Sequence, residues 1–355
     1  MKNKVTVIIP THERHRVLER AIDYYSQMDV NVVIADSSNK DLSGKLPDHF
    51  LYLHCPDSFM GDKIYQSLCK VKTKYSCLCS DDDFLSESGL SVGYDFLENN
   101  PDYVSVQGHF ISFDPSNPKE KYNPLYSNLI GYENSSISIE DRLKKCFNAP
   151  QIYALHRTKD LKKCFEITLG ISAVTVVEMC VPLVSLCISK HKVLPIFWQA
   201  RDIKRYSRYI NKEGGAYRAN EGHLVNNKPS IVITDWVGYL KSEEGQAFKK
   251  NFITTVKDII PDNLDPGILF VSAFQEYLLS QKNKKSMPFL QKNKNTIKKV
   301  LPNMLLKRIK RMIFDREKTL LIGVGGYPFN DGVAMSDWSK IIQCILKNNL
   351  TNPNP

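Results

Sequence analysis

The stretch Tyr75–Phe84, YSCLCSDDDF, decides the fold. It joins a short apolar run, typical of a buried strand, to three consecutive aspartates, Asp81 to Asp83. Similar strand-like runs stand at Val5–Ile9, Val30–Ala35, Phe50–Cys55 and Tyr103–Phe113. Segments with helical spacing stand between them, at Arg14–Gln27, Gly61–Val71 and Ser86–Asn99. This alternation predicts an α/β fold with a mostly parallel sheet that is flanked by helices on both faces.

Polar side chains follow three of these predicted strands. Thr11 and Glu13 follow the first strand, Asp36 ends the second, and the aspartates follow Tyr75–Cys79. Ligands of open α/β sheets bind at the carboxyl ends of the strands, so these groups are expected to share one edge. The arrangement predicts a nucleotide site at that edge.

The aspartate triplet predicts a divalent metal. Adjacent carboxylates repel one another, and Mg²⁺ or Mn²⁺ binds oxygen ligands, usually one or two carboxylates together with substrate phosphates. Taken alone, the triplet is more simply explained as a solvated turn before the next helix. The groups at the other two strand ends favour the metal.

Three segments together resemble the GT-A fold of family 2 glycosyltransferases: VTVIIPTHER from Val5, VVIADSS from Val32, and YSCLCSDDDF from Tyr75. The resemblance is clear over 4–110, weaker to about 210 and absent beyond. It implies a Rossmann-like sheet and transfer of a sugar, with inversion, from a nucleoside diphosphate to an acceptor. A UDP-sugar is the expected donor.

The resemblance also implies roles for individual residues. Asp83, with Asp81, would bind the metal, and Asp36 would accept a hydrogen bond from the base. Lys63 lies near a position where the family often has Arg, although a solvated helix lysine explains it equally well. The implied nucleotide contacts are Pro10, Thr11, Glu13, Asp36, Lys63, Asp81 and Asp82.

An inverting transfer needs a carboxylate that deprotonates the acceptor hydroxyl. We expect Glu178 in this role, at the junction between an extended Ile171–Val177 and a helix that begins near Met179, where the family often has Asp. A helix-capping glutamate is the simpler alternative. Asp202 and Glu166 are further candidates, whereas Glu140-Asp141 follows Ser138 and reads as the first turn of a helix.

Two arginines lie within the second, acceptor-binding half of the predicted domain. Arg201 and Arg205, in WQARDIKRYSR, could clamp a diphosphate or an acidic acceptor by bidentate hydrogen bonds. A basic helix face explains them equally well. The apolar run Ile171–Ile188 carries Glu178 and Pro182, so a buried segment is a better interpretation than a membrane span.

The net charge of +10 is concentrated in one segment. Residues 282–318 hold 13 basic and 2 acidic side chains, and the remainder of the chain is close to neutral. Within 295–318 an apolar face with a cationic rim predicts a helix on an anionic membrane. A surface helix docked on the enzyme is the alternative, and nucleic-acid binding is not expected, since no aromatic side chains are interleaved.

The basic segment predicts a cytoplasmic protein that is peripheral on the inner face of the membrane. The resemblance to family 2 glycosyltransferases implies a glycan or lipid-linked acceptor in bacterial cell-surface polysaccharide synthesis. Nine cysteines without C-x-x-C spacing predict reduced, mostly buried thiols. Two alternatives stay open: a nucleotidyl- or polyol-phosphate transferase, and a non-catalytic binder of anionic surfaces or nucleic acid. The predicted blocks are 1–115 for the nucleotide sugar, 116–235 for the acceptor, 236–281 helical, 282–318 basic and 319–355 as a tail.

Overall fold

The computed structural model describes residues 1–42, 44–119, 122–202, 224–225, 228–229, 233, 235–285 and 332–351. A ten-stranded sheet crosses the molecule in the order β3-β2-β1-β4-β9-β6-β10-β5, with β7 beside β6 and β8 beside β10. The principal strands β1 to β4, β6 and β10 share one direction, because the short antiparallel β9 separates β4 from β6. The predicted α/β class is confirmed.

The strands have the following bounds: β1 Val5–Thr11, β2 Asn31–Asp36, β3 Phe50–His54, β4 Tyr75–Leu78, β5 Phe84–Leu85, β6 Tyr103–Phe113, β7 Tyr122–Leu125, β8 Glu133–Asn134, β9 Leu155–Arg157 and β10 Lys190–Asp202. A separate pair is formed by β11 Leu224–Val225 and β12 Lys228–Pro229. The four central parallel strands β1, β2, β4 and β6 coincide with the apolar runs of the sequence because each is buried on both faces.

The helices have the following bounds: α1 His15–Tyr25, α2 Met60–Lys70, α3 Glu87–Asn99, α4 Ile139–Lys144, α5 Thr158–Glu166, α6 Val174–Ile188, α7 Trp236–Lys241, α8 Glu243–Lys257, α9 Pro266–Lys285 and α10 Gly332–Thr351. Serine side chains cap several of them. Ser86 accepts a hydrogen bond from the Gly89 amide at α3, and Ser138 accepts one from the Asp141 amide at α4.

Two apolar cores lie on opposite faces of the sheet. One is covered by α1, α3 and α10, and its buried members include Leu18, Leu90 and Trp338. The other is covered by α2, α5, α6, α8 and α9, and it includes Ile64, Phe248 and Phe274. The helical C-terminal region is therefore part of both layers rather than an appendage to the sheet.

One part of the predicted secondary structure is wrong. We expected 171–177 to be extended and a helix to run from Met179 to His191, but α6 begins at Val174 and ends at Ile188, and β10 begins at Lys190. The β-branched run favoured a strand by local propensity. Almost every side chain of α6 is buried against neighbouring helices, and this packing outweighs propensity.

The interval 114–150 is also more structured than the long loop that its composition predicts. It carries β7, β8 and α4, connected by short 3-10 turns. The predicted short helix after Ser138 is present. All nine cysteines are free thiols, and seven are buried. In the described part of the chain, no helix combines the length and apolarity needed to cross a membrane.

Candidate active site

The carboxyl ends of β1, β2 and β4 bring the predicted polar residues together. Thr11 is in register with Asp36 across β1 and β2. The Thr11 hydroxyl donates a hydrogen bond of 2.7 Å to Asp81, which follows β4. Three segments that are separated by up to 70 residues in the chain therefore meet at one edge, as the sequence predicts.

Arg14, directly after β1, holds the first two aspartates. Its guanidinium lies 3.1 Å from the Asp81 carboxylate and also pairs with Asp82. Asp81 is buried, and burial raises its pKa, while the charge of Arg14 acts in the opposite direction. Arg14 thus pairs with two adjacent carboxylates and offsets the repulsion between them.

Asp83 faces the other side of the loop, toward β10. Its Oδ2 atom accepts hydrogen bonds from the Gln199 amide at 2.9 Å and from Arg201 Nε at 3.0 Å. The backbone amide of Asp202 donates to Oδ1 at 3.1 Å. Burial raises the pKa of Asp83 to about 7, and the Arg201 charge opposes this shift.

Two tyrosines hold the Arg201 guanidinium in place. One terminal nitrogen donates to the Tyr126 hydroxyl at 2.9 Å, and the other to the Tyr153 hydroxyl at 3.4 Å. The guanidinium also stands 4.8 Å from the centre of the Tyr153 ring, a cation–π distance. Tyr126 has a backbone φ of 56°, an uncommon conformation for an aromatic residue and one that is typical of functional loops.

Glu178 lies on α6, and its side chain is exposed. Surrounding protein nevertheless raises its pKa by desolvation, and Arg201 is the charge that lowers it. Burial raises the pKa of the Tyr153 hydroxyl, and the charges of Glu178 and Asp83 both raise it further. Arg201 and Tyr153 therefore connect the candidate base electrostatically to the aspartate loop.

The position of Glu178 within its helix differs from the prediction. It lies in the second turn of α6 rather than at a junction before the helix, and Pro182 is inside the helix. Proline has no N–H group, so the carbonyl of Glu178, four residues earlier, receives no helical hydrogen bond from it. The helix therefore lacks one backbone hydrogen bond at the residue that carries the candidate base.

Lys63 is buried rather than solvated. Its ammonium group donates to the Thr11 carbonyl and, at 2.8 Å, to the Ser37 hydroxyl. Burial lowers its pKa to about 8, and the charges of Asp36 and Asp81 oppose that shift. Lys63 joins the ends of β1 and β2 and places a positive charge between these two carboxylates.

The carboxylates of Asp36 and Glu13 already accept hydrogen bonds from other groups of the protein. Asp36 is fully buried and accepts from the Ser38 amide and hydroxyl, from the Tyr52 hydroxyl and from His15. These hydrogen bonds lower its pKa, although burial alone would raise it. Glu13 accepts from the Asn39 amide at 2.7 Å. Both carboxylates shape the strand ends, and Pro10 lies within β1, in register with Ala35 of β2.

The other candidate bases have different roles. Asp202 pairs with Arg20 at 3.2 Å. The charge of Glu166, at the end of α5, contributes to the raised pKa of Tyr65 and of Lys162. Asp141 is in the first turn of α4 and pairs with Lys144. Arg205 lies outside the described residues.

A divalent metal fits this edge of the sheet in its donor chemistry. Asp81 and Asp83 supply the one or two carboxylates that Mg²⁺ takes when substrate phosphates complete its coordination. The amide oxygen of Gln199, next to Asp83, is buried without a hydrogen-bond partner and is another oxygen donor. Within the described ranges, however, no group of three or more His, Cys, Asp and Glu side chains could hold a metal unaided.

Several residues of the site were not expected from the sequence. Arg14 stands inside the motif that follows β1, and three tandem aspartates signal the need for such a cation. Tyr126 comes from the connection after β7, Tyr153 from a 3-10 turn and Gln199 from β10, and no local pattern marks them. Only the folded sheet brings them to Asp83.

No protein-family model matches the chain, and no curated protein sequence matches it either. Among solved structures, S. aureus TarS shares 12% identity over 77% of this chain and 54% of its own length, with a TM-score of 0.43. TarS 1-349 in complex with UDP shares 12% identity over 80% of this chain and 91% of its own, at 0.43.

A mannosyltransferase of Pyrobaculum calidifontis, PcManGT, in complex with GDP-Man and Mn²⁺, shares 12% identity over 99% of this chain and 88% of its own, also at 0.43. The chain covers about half of the longer TarS chain. Likenesses at this level assign no activity, so the function below follows from the geometry of the site.

Proposed function

We propose that this protein is a glycosyltransferase that moves a sugar from a nucleoside diphosphate, with a UDP-sugar as the expected donor, to an acceptor hydroxyl. One observation carries the proposal. Arg201 contacts Asp83 at 3.0 Å, and its charge opposes the raised pKa of both Asp83 and Glu178. The same site thus offers acidic groups for a nucleotide with its metal and a separate carboxylate for the acceptor.

In this mechanism Glu178 acts as the general base. Its ionised carboxylate takes the proton of the acceptor hydroxyl while that oxygen attacks the anomeric carbon, which gives inversion. Desolvation raises the pKa of Glu178 and so its basicity, and the charge of Arg201 opposes this rise. Tyr153 positions Arg201 between the two halves of the site.

The donor half offsets the charge of the diphosphate. Arg14 and Arg201 present guanidinium groups beside the aspartate loop, and Lys63 adds a buried positive charge. Asp83 and Asp81 would hold a Mg²⁺ or Mn²⁺ ion, which supplies Lewis-acid stabilisation of the departing diphosphate. The Thr11 hydroxyl orients Asp81 for this role.

We further propose a GT-A enzyme of family 2 that acts at the inner face of the cytoplasmic membrane on a glycan or lipid-linked acceptor of a bacterial surface polysaccharide. The amphipathic segment 295–318, which would touch the anionic lipid, lies outside the described residues. Its cationic rim supports the proposal, since each basic residue near such a surface contributes about 1 kcal/mol.

The test is a panel of nucleotide sugars with Mg²⁺ or Mn²⁺. A donor that binds the native state should raise the melting temperature, and we expect this for at least one UDP-sugar. Turnover of that donor with an acceptor should release a nucleoside diphosphate. Release of pyrophosphate or of a nucleoside monophosphate would instead support a nucleotidyl- or polyol-phosphate transferase.

A non-catalytic role is separated by the same assay. A binder of RNA or anionic surfaces would show salt-sensitive association and no stabilisation by any nucleotide sugar. The wild-type chain should bind anionic vesicles. A variant that lacks 295–318 should not bind them but should retain nucleotide-sugar binding. Vesicle binding that survives this deletion would contradict the membrane contact.

A further inference from the structure

A second cavity, of about 890 Å³, opens at the amino edge of the sheet, away from the candidate active site. Lys74 lines it and precedes β4, whereas Asp81 follows β4. Tyr103, which begins β6, lines it as well. The cavity and the aspartate loop therefore lie at opposite ends of the same strands, and the proposed glycosyl transfer does not use this cavity.

The lining of this cavity carries an excess of positive charge. Lys74, Arg157, Lys159 and Lys162 are opposed by the single carboxylate of Asp160. Lys74 is paired with Glu98 at 2.7 Å. In the part of the chain that the structure describes, no ion pair within 4 Å involves the other three cations. Their charge is thus available to a ligand.

Arg157 is fixed in position by neutral groups. Its guanidinium donates to the carbonyls of Leu97 at 2.8 Å and Tyr103 at 3.2 Å, and to the Tyr75 hydroxyl at 3.0 Å. These neutral acceptors hold the guanidinium without a direct ion pair, and Glu98 and Asp160 interact with its charge only coulombically. A cation that is ordered before binding contributes more to affinity than a flexible one, because less conformational entropy is lost.

Thr158 supplies an independent sign of a ligand. It lines the cavity as the first residue of α5, and its side chain is only 9% exposed. Its hydroxyl oxygen is buried and has no hydrogen-bond partner. Buried hydroxyls are normally paired, so this one indicates a group that completes the site. The helix N-terminus adds a partial positive charge at the same place.

The remaining lining is largely apolar and includes Leu68, Val104 and Ile188. We propose that this cavity binds an amphiphilic phosphate ester, with the phosphate near Arg157, Thr158 and Lys159 and the apolar chain against these three side chains. Asp160 limits the net positive charge of the cavity, which favours an ester of low charge over inorganic phosphate.

The test is titration calorimetry of the full-length chain with hexyl phosphate, compared with inorganic phosphate and with hexanol. Hexyl phosphate should bind at least tenfold more tightly than either, because only it supplies both the charge and the apolar chain. The double variant Lys159→Glu/Lys162→Glu should weaken binding at least tenfold. Lys163→Glu is the matched control, since Lys163 is exposed on the same helix outside the cavity.

Thr158→Val separates a ligand contact from a structural role. The replacement keeps the shape and removes an unsatisfied hydroxyl, so the free protein should melt at the same or a higher temperature. Hexyl phosphate should nevertheless bind several-fold more weakly. A variant that melts lower and binds normally would show that the hydroxyl serves the fold, and the phosphate contact would be refuted.

A short-chain phosphatidylglycerol dissolved as monomers identifies the source of the ligand, because vesicles would also bind the proposed membrane segment 295–318. Calorimetric binding of this lipid that is lost in the double variant and kept in Lys163→Glu would assign the phosphate to a lipid. Binding of hexyl phosphate without binding of this lipid would assign it to a soluble ester. Absence of both, or hexyl phosphate binding that is equal in the wild type and the double variant, would overturn the proposal.

Discussion

Two buried aspartates at the carboxyl edge of the sheet differ in the direction in which the folded protein shifts their pKa. Asp36, at the end of β2, accepts four hydrogen bonds from Ser38, Tyr52 and His15, and these lower its pKa. Asp83, after β4, is equally buried, but its pKa is raised to about 7. Burial acts on both in the same direction, so the difference comes from the hydrogen bonds that Asp36 accepts and from the charges of Asp82 and Asp202, which raise the pKa of Asp83.

The comparison separates scaffold from reactive site. Asp36 is stabilised as a carboxylate by hydrogen bonds from Ser38, from Tyr52 on β3 and from His15 on α1, so it strengthens the fold. Asp83 is held by Arg201 and Gln199 against a desolvation cost that these partners do not cancel. A carboxylate in this state gains most from an additional cation, which a substrate with a metal can supply.

The largest expected effect is on activity and comes from Asp83→Asn. The amide keeps the shape but removes the negative charge that would hold a divalent metal, so turnover of the nucleotide sugar should fall about a thousandfold. The free energy of unfolding should stay the same or rise, because a costly buried charge is removed. Steady-state kinetics and urea unfolding measure the two quantities. A variant with full turnover would remove Asp83 from the mechanism.

Asp36→Asn should show the opposite pattern in stability. It leaves buried donors without their ionised acceptor, so the free energy of unfolding should fall by about 3 kcal/mol at pH 7. Because folding lowers the pKa of Asp36, its contribution is present above the ordinary value of 3.8 and is lost as the pH falls. The difference between variant and wild type in urea unfolding should therefore shrink below pH 4. A difference that does not change with pH would contradict the assignment.

Arg201→Met tests the connection between the two halves of the site. Loss of the guanidinium removes the charge that lowers the pKa of Glu178, so the acid limb of the pH–rate profile should move to higher pH. Turnover at neutral pH should fall about tenfold, the loss expected for one charged hydrogen bond. Arg201→Lys is the control and should restore part of the profile. An unshifted acid limb in Arg201→Met would place the base elsewhere.

Tyr52→Phe is the smallest of these changes. It removes one of the hydrogen bonds that Asp36 accepts, at 2.8 Å, so the free energy of unfolding should fall by about 1 kcal/mol. Thermal unfolding beside Asp36→Asn measures the difference. A loss as large as that of Asp36→Asn would show that the hydroxyl, rather than the carboxylate, organises the strand end.

Much of the carboxyl edge can be predicted from the sequence because strands β1, β2 and β4 are short, apolar and followed at once by polar residues. Those local patterns place Thr11, Asp36 and the aspartates together before any coordinates are known. The partners of Asp83 cannot be found in this way. Gln199 and Arg201 belong to β10, more than 110 residues later, and their proximity depends on the strand order.

The start of α6 could not be predicted from the sequence for a related reason. Val174 to Val177 have the composition of a strand, and only packing against α5 and the surrounding helices makes them helical. Glu178 was thus identified as the candidate base although the local structure expected around it was wrong. The residue type and its apolar surroundings carried that prediction, while the helix boundary depended on tertiary contacts.

Glu178→Gln tests the central claim most directly. With a nucleotide sugar that stabilises the wild type, the variant should bind the donor with unchanged affinity, because Glu178 belongs to the acceptor half of the site. Transfer to the acceptor should fall about a thousandfold. Calorimetry and detection of the released nucleoside diphosphate, measured on the same preparation, give both values. Unchanged transfer at normal donor affinity would contradict the proposed role of Glu178 and the two-sided site built around Arg201.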